Sequence, residues 1–152
     1  MALKVCELIS IVLLMGVSGM YWGPWLALSR SLAAFEPEVF LPIVNQMGRN
    51  MGPLMTVLTP VALLSTVPVL FLAYQGHPVV FYLTLTSLIL FVITLAVTML
   101  IEVPIVGQMT TWTASTLPSN WRQLRDRWVT FHLARIIPSV IGLVLFLIAG
   151  IF

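Results

Sequence analysis

The residues best suited to chemistry lie in one short stretch, from Trp121 to Arg135. Trp121, Arg125, Trp128, His132 and Arg135 follow one another at steps of four, three, four and three. Wound at 3.6 residues per turn, they fall within roughly an 80° arc of one helix face. An imidazole ordinarily titrates near neutrality, so His132 is the candidate general acid or base. Arg125 and Arg135 flank it and could hold an anion, while Trp121 and Trp128 offer indole faces to a flat ring system. Each has a plainer alternative: a histidine hydrogen-bonded at headgroup level, arginines reaching lipid phosphates, tryptophans anchoring a membrane boundary.

A carboxylate belongs with them. Thr84, Ser87, Phe91, Thr94, Thr98 and Glu102 share a second helix face, whose small hydroxyls predict helix packing. Glu102, predicted on the same membrane side as His132, could orient the imidazole or neutralise Arg135; otherwise it is solvated just outside the bilayer. Gln46 and Asn50, four apart, could present amides toward the same cavity or form a solvated face. Trp112 is a further candidate wall, and Asp126 is expected to pair with Arg122 at the surface. His77 and His132 are the only histidines, predicted at opposite ends of a core about 30 Å thick. No HxxxH, ExxH or cysteine cluster accompanies them, so no metal site is expected. Cys6, the single cysteine, excludes an intramolecular disulfide and any CxxC mechanism.

Positioning these residues falls to apolar helices. The chain is 60% hydrophobic and only 8% charged, against about 25% charged in soluble domains, which makes it an integral membrane protein. Four apolar runs, 5–28, 53–74, 78–101 and 133–152, approach or exceed the ~20 residues that cross a bilayer. The expectation is an all-α, integral membrane four-helix bundle forming a single domain over 1–152. The segment from Pro37 to Met51 reads as a short amphipathic interfacial helix continuing through Gly52-Pro53 into the second span. The Gln75-Gly76 turn demands an antiparallel hairpin. Residues 103–119 read as a long connection broken at Pro104 and Pro118, after which Asn120 caps the last helix with Gln123. Gly16, Gly19 and Gly23 predict a packing stripe, and Pro60, Pro68 and Pro138 predict kinks.

A net charge of +2 without any Lys/Arg run argues against nucleic acid and leaves the lipid bilayer as the evident partner. Four spans put both termini on one side with Lys4 alone. Arg30, Arg49, Arg122, Arg125, Arg127 and Arg135 lie on the other, so the positive-inside rule predicts termini outside and connections 29–52 and 102–132 in the cytoplasm.

The pattern Pro118-x-x-Trp121-x-x-Leu124-Arg125-x-Arg127-Trp128-x-x-x-His132-x-x-Arg135, preceded by Glu102-Val103-Pro104 and Trp112, resembles the carboxy-terminal signature of the anthrone-oxygenase-like family of small four-helix membrane proteins. The Gln46 to Pro53 segment resembles that family's first connection. Glu102 stands where an asparagine is common in the family, and Val106 where a second is expected. The resemblance implies oxidation of a lipophilic aromatic small molecule to a quinone without metal or flavin, with His132, Arg135, Trp121 and Trp128 as site residues. In that reading His132, held by Glu102, is the base, and Arg135 and Arg125 stabilise an oxyanion. The competing reading is a non-catalytic small membrane subunit or a lipophilic-ligand and lipid-binding protein of a larger membrane complex, in which the stripe anchors a partner or an anionic lipid; under either reading the chain could form a homo-oligomer.

Overall fold

The computed structural model describes residues 1–29, 31–113 and 115–152; Arg30, counted above among the basic residues, lies outside them. No strand occurs among the described residues, and four helices are long and apolar enough to cross a membrane. A bilayer core supplies no water to satisfy exposed backbone groups, so an all-α bundle is the arrangement this composition allows. The first helix, α1 (Ala2–Pro24), runs on through a π turn at Trp25–Ser29. It is followed by α2 (Pro37–Ala73), α3 (Pro78–Val97), α4 (Val103–Met109) and α5 (Trp121–Ala149). The four apolar runs each fall on one of these helices, with ends that differ by a few residues.

At 37 residues α2 is about 55 Å long, far more than the hydrocarbon core, so its amphipathic first part projects beyond the core while remaining continuous with the span. Pro37 at the first helical position and Glu38 in the first turn suit its start. Pro42, Pro53, Pro60 and Pro68 all lie inside it, and hydroxyls between them bond main-chain carbonyls: Thr56 to Gly52 at 2.8 Å and Thr66 to Leu63 at 2.7 Å. The turn after Tyr74 leads straight into α3, with the Tyr74 and Phe81 rings 5.6 Å apart. At this end Lys4 Nζ donates to the Gly150 carbonyl, and His77 shares a small recess with Phe152. The termini and the hairpin therefore sit together, opposite the two connections.

The hydroxyl face of α3 packs on α5. Thr84, Ser87, Phe91 and Thr94 are all buried; Ser87 Oγ donates to the Gly142 carbonyl at 2.7 Å and Thr94 Oγ1 to the Arg135 carbonyl at 3.3 Å. A Cβ on Gly142 would stand 3.1 Å from the Phe91 ring, so this glycine sets the spacing of the seam. Of the expected stripe in α1 only Gly16 faces another helix closely, where an added Cβ would stand 3.6 Å from Leu58; a Cβ on Gly23 would meet nothing within 4 Å. The intimate contact is on α5 because the bulk of Phe91 needs space opposite it.

Two expectations about the second connection are corrected. Pro104 does not break the chain: a π turn at Thr98–Glu102 leads α3 directly into α4, and the connection shrinks to 110–120. The wider π turn shifts the hydrogen-bond ladder just where Pro104 lacks an N–H. Asn120 does precede α5, yet its side chain makes no capping bond. Its φ of −96° and ψ of 14° differ from the extended backbone that aims a capping side chain at the first free N–H groups.

The interior has two parts. Leu14, Val17, Val69, Phe91 and Phe146 form a core through the middle of the bundle. Leu32, Phe40, Val44, Ile105, Met109 and Trp128 form a second core toward the connections, where Trp112 and Trp121 pack against it.

Candidate functional site

The π turn in α3 and the middle of α5 bring a carboxylate, an imidazole and a guanidinium together. Glu102 Oε2 lies 2.7 Å from Arg135 Nη2, with both side chains almost fully buried. Arg135 Nη2 is also 2.7 Å from His132 Nδ1, and Nη1 donates to Thr98 Oγ1 at 3.2 Å. On the other edge of the ring, His132 Nε2 is 3.0 Å from the Tyr21 carbonyl. A carbonyl only accepts, so Nε2 carries the proton and Nδ1 turns its lone pair to Arg135. The Tyr21 carbonyl is available because the Trp25 N–H, its partner in a regular α-helix, bonds Trp22 instead. The Arg135 guanidinium lies over the Tyr21 ring at 4.7 Å, so α1 grips the cluster twice.

Glu102 Oε1 is 3.5 Å from His132 Nδ1, too long for a hydrogen bond, and has no partner. Trp128 Nε1 and Arg135 Nε are likewise buried and unpartnered. Unpaired polar atoms in low dielectric are costly, so one acceptor and two donors in adjacent residues mark a place where a polar ligand would be stabilised.

These residues line a cavity of about 1200 Å³ bounded by the end of α1, the first half of α2, the α3–α4 continuation and α5. It exceeds the 300–1,000 Å³ common for small-molecule pockets. Glu102, Trp128, His132 and Arg135 all contribute to its wall. The remaining candidates do not. Trp121 and Arg125 lie beyond Trp128: Trp121 packs 6.1 Å from the Phe40 ring, and Arg125 stacks on Trp121 at 5.2 Å and bonds Asp126 at 2.9 Å. Asp126 thus pairs with its neighbour Arg125, whose guanidinium reaches it without crossing a turn. Trp112 belongs to the second core. Gln46 and Asn50 are exposed and bond each other at 2.9 Å, directed away from the cavity. Tyr21 is absent from the sequence-based set because it is 111 residues from its partner His132. Also absent from it are Met20, Met47, Met51, Met55 and Met99, five of the eight methionines, which line the cavity with flexible, polarizable side chains. Among the described residues no group of three or more His, Cys, Asp or Glu is placed to hold a metal ion.

No curated protein and no solved structure matches the chain. The family model described as anthrone oxygenase matches residues 46–145, more than half of the 152 and including every polar member of the cluster except Tyr21. With the match spanning most of the chain and the Glu102–His132–Arg135 cluster inside it, the chain belongs to the anthrone oxygenase family.

Proposed function

We propose that this protein is a membrane-embedded oxygenase that converts a flat, lipophilic, anthrone-like substrate to the corresponding quinone without a metal or flavin. The observation that carries this reading is the convergence of a carboxylate, an imidazole and a guanidinium on a large, mostly apolar cavity inside a helical membrane bundle. An anthrone methylene lies between two aromatic rings and opposite a ketone, so loss of its proton gives a carbanion delocalised onto the ketone oxygen. His132 Nδ1 takes that proton once Arg135 swings from it to the developing oxyanion. Glu102 Oε1, 3.5 Å away and unpartnered, then accepts the new Nδ1–H bond. The carbanion reduces dioxygen and combines with it; the peroxide anion takes the proton from His132. Removal of the second methylene proton with cleavage of the O–O bond releases water and leaves the new carbonyl. The balance is anthrone plus dioxygen giving anthraquinone plus water. Trp128 forms a wall of the ring site, and Phe40, which also meets Trp121, packs against the Trp128 ring at 6.4 Å.

Purified protein supplied with anthrone is expected to consume one dioxygen per quinone formed, and labelled dioxygen should place one oxygen atom in each quinone. Oxygen uptake no faster than in protein-free detergent would rule the reading out.

The bilayer orientation follows from charge. Lys4 lies at the end with the termini, whereas Arg49, Arg122 and Arg127 lie toward the connections, so the link between α1 and α2 and the connection 110–120 face the cytoplasm. With Cys6 changed to serine, a cysteine placed at Gln75 should react with an impermeant maleimide on intact cells, and one at Thr116 only after permeabilisation. The reverse pattern would invert the orientation.

A further inference from the structure

Three helical glycines line the cavity without any packing reason to be glycine. Gly48 and Gly52 are one turn apart on α2, and Gly107 is on α4. None has positive φ, and a Cβ built on any of them would meet nothing within 4 Å. Glycine weakens a helix interior, and here neither backbone conformation nor a neighbouring helix requires it. Gly142 is the contrast within the same fold, where a Cβ would strike Phe91. What the three share is the space in front of them, and the same cavity is lined by the deeply buried Glu102 and Trp128, whose Oε1 and Nε1 atoms have no partner.

We infer that Gly48 and Gly52 on α2 and Gly107 on α4 form the two walls of a slot that admits a planar, fused-ring substrate from the membrane interface to the Glu102–His132–Arg135 cluster. The inference rests on the proposed reaction for its substrate class. Around Gly107 the α4 residues Val103 and Val106, and Thr110 just after the helix, line the same cavity, while Ile105 and Met109 turn inward to pack with Val44. Val106 on the cavity side also touches the second core, whereas the space in front of Gly107 is open, and the missing side chains at the three glycines widen the gap. Gly48 and Gly52 directly precede the apolar run that begins at Pro53, which puts the slot near the membrane interface, the level at which an aromatic ketone with a polar edge partitions. The neighbouring methionines Met51, Met55 and Met99 adapt to ring systems of differing outline.

The test is a graded series, Gly52→Ala, Gly52→Val and Gly52→Leu, with the same three changes at Gly107. Anthrone oxidation, binding of anthraquinone by tryptophan fluorescence, and thermal midpoint are all measured. The expected pattern is opposed: the midpoint holds or rises because a helix-weakening residue is removed, while kcat/KM falls stepwise, on the order of 10–100-fold at leucine, chiefly through KM. Leucine variants that oxidise anthrone and bind anthraquinone like the parent would overturn the slot while leaving the oxygenase reading intact. If the parent binds anthraquinone but oxidises no anthrone, and Gly52→Leu or Gly107→Leu weakens that binding, the slot stands and the oxygenase reading fails. Parent protein that neither binds nor oxidises removes both. If leucine lowers the midpoint, the alanine variants decide, since one methyl group in open space cannot unfold the bundle.

Discussion

Replacing His132 with glutamine is expected to lower anthrone oxidation by roughly 10²–10⁴-fold, the usual contribution of a positioned general base. Glutamine is the informative choice because its amide can still donate to the Tyr21 carbonyl, now served by Nε2 at 3.0 Å. Alanine would lose both the base and the tie between α5 and the end of α1, so lost folding and lost proton transfer would be confounded. The glutamine variant should keep its thermal midpoint and bind anthraquinone while turnover collapses. Full turnover in His132→Gln would remove His132 as the base. If turnover survives there but is lost in Glu102→Gln, the proton goes to the carboxylate, whose Oε1 already lacks a partner.

The second large effect is on stability. Arg135→Met should cost about 3–5 kcal/mol, because it leaves the buried Glu102 carboxylate without the guanidinium 2.7 Å from it. For a chain of this size each kcal/mol moves the midpoint by about 2–4 °C in soluble proteins, so a fall of roughly 6–20 °C is expected in detergent. Adding Glu102→Leu to the same chain should restore most of the loss, since a buried ion pair replaced by apolar side chains of similar volume is commonly neutral or stabilising. The double variant would be folded and inactive, which separates the pair's role in the site from its role in the fold. A double variant no more stable than Arg135→Met would mean that Glu102 and Arg135 are not energetically coupled. That outcome would contradict the contact described here.

The contacts among Glu102, Arg135 and His132 allow a four-helix bundle to retain three ionisable groups in apolar surroundings. Each group satisfies another: the carboxylate neutralises the guanidinium, the guanidinium caps the imidazole, and the imidazole ties down a carbonyl freed at the end of α1. Two π turns, Trp25–Ser29 beyond Tyr21 and Thr98–Glu102 on α3, stand beside the cluster. Such turns relax the regular ladder and are frequent at functional sites. The geometry of the cluster is thus set in the backbone as well as in the side chains.

Much of this was legible in the order of residues. Runs of about twenty apolar residues imply spans wherever they occur, because hydrocarbon allows few other solutions, so the number of helices, the hairpin at Gln75-Gly76 and the all-α class followed directly. Helical spacing likewise placed Trp128, His132 and Arg135 on one face, and Thr84 to Glu102 on another, since residues three and four apart must neighbour each other. Spacing does not say how far along a shared face a cavity extends, and tertiary structure divided the stripe, leaving Trp121 and Arg125 in the Phe40 core. Nor does spacing bring distant segments together: Tyr21 joins His132 only because α1 packs beside α5, and Gln46 and Asn50 turn away because of how α2 is rotated. Met47, Met51 and Met55 recur every four residues on α2 with Gly48 and Gly52 beside them, but spacing does not say that this stripe faces a cavity, and Met20, Met99 and Gly107 join it from other segments. Sequence alone determined which faces exist and which groups they carry; only the packing of helices decided which faces meet, because that depends on the summed fit of side chains such as Phe91 against Gly142 rather than on any local periodicity.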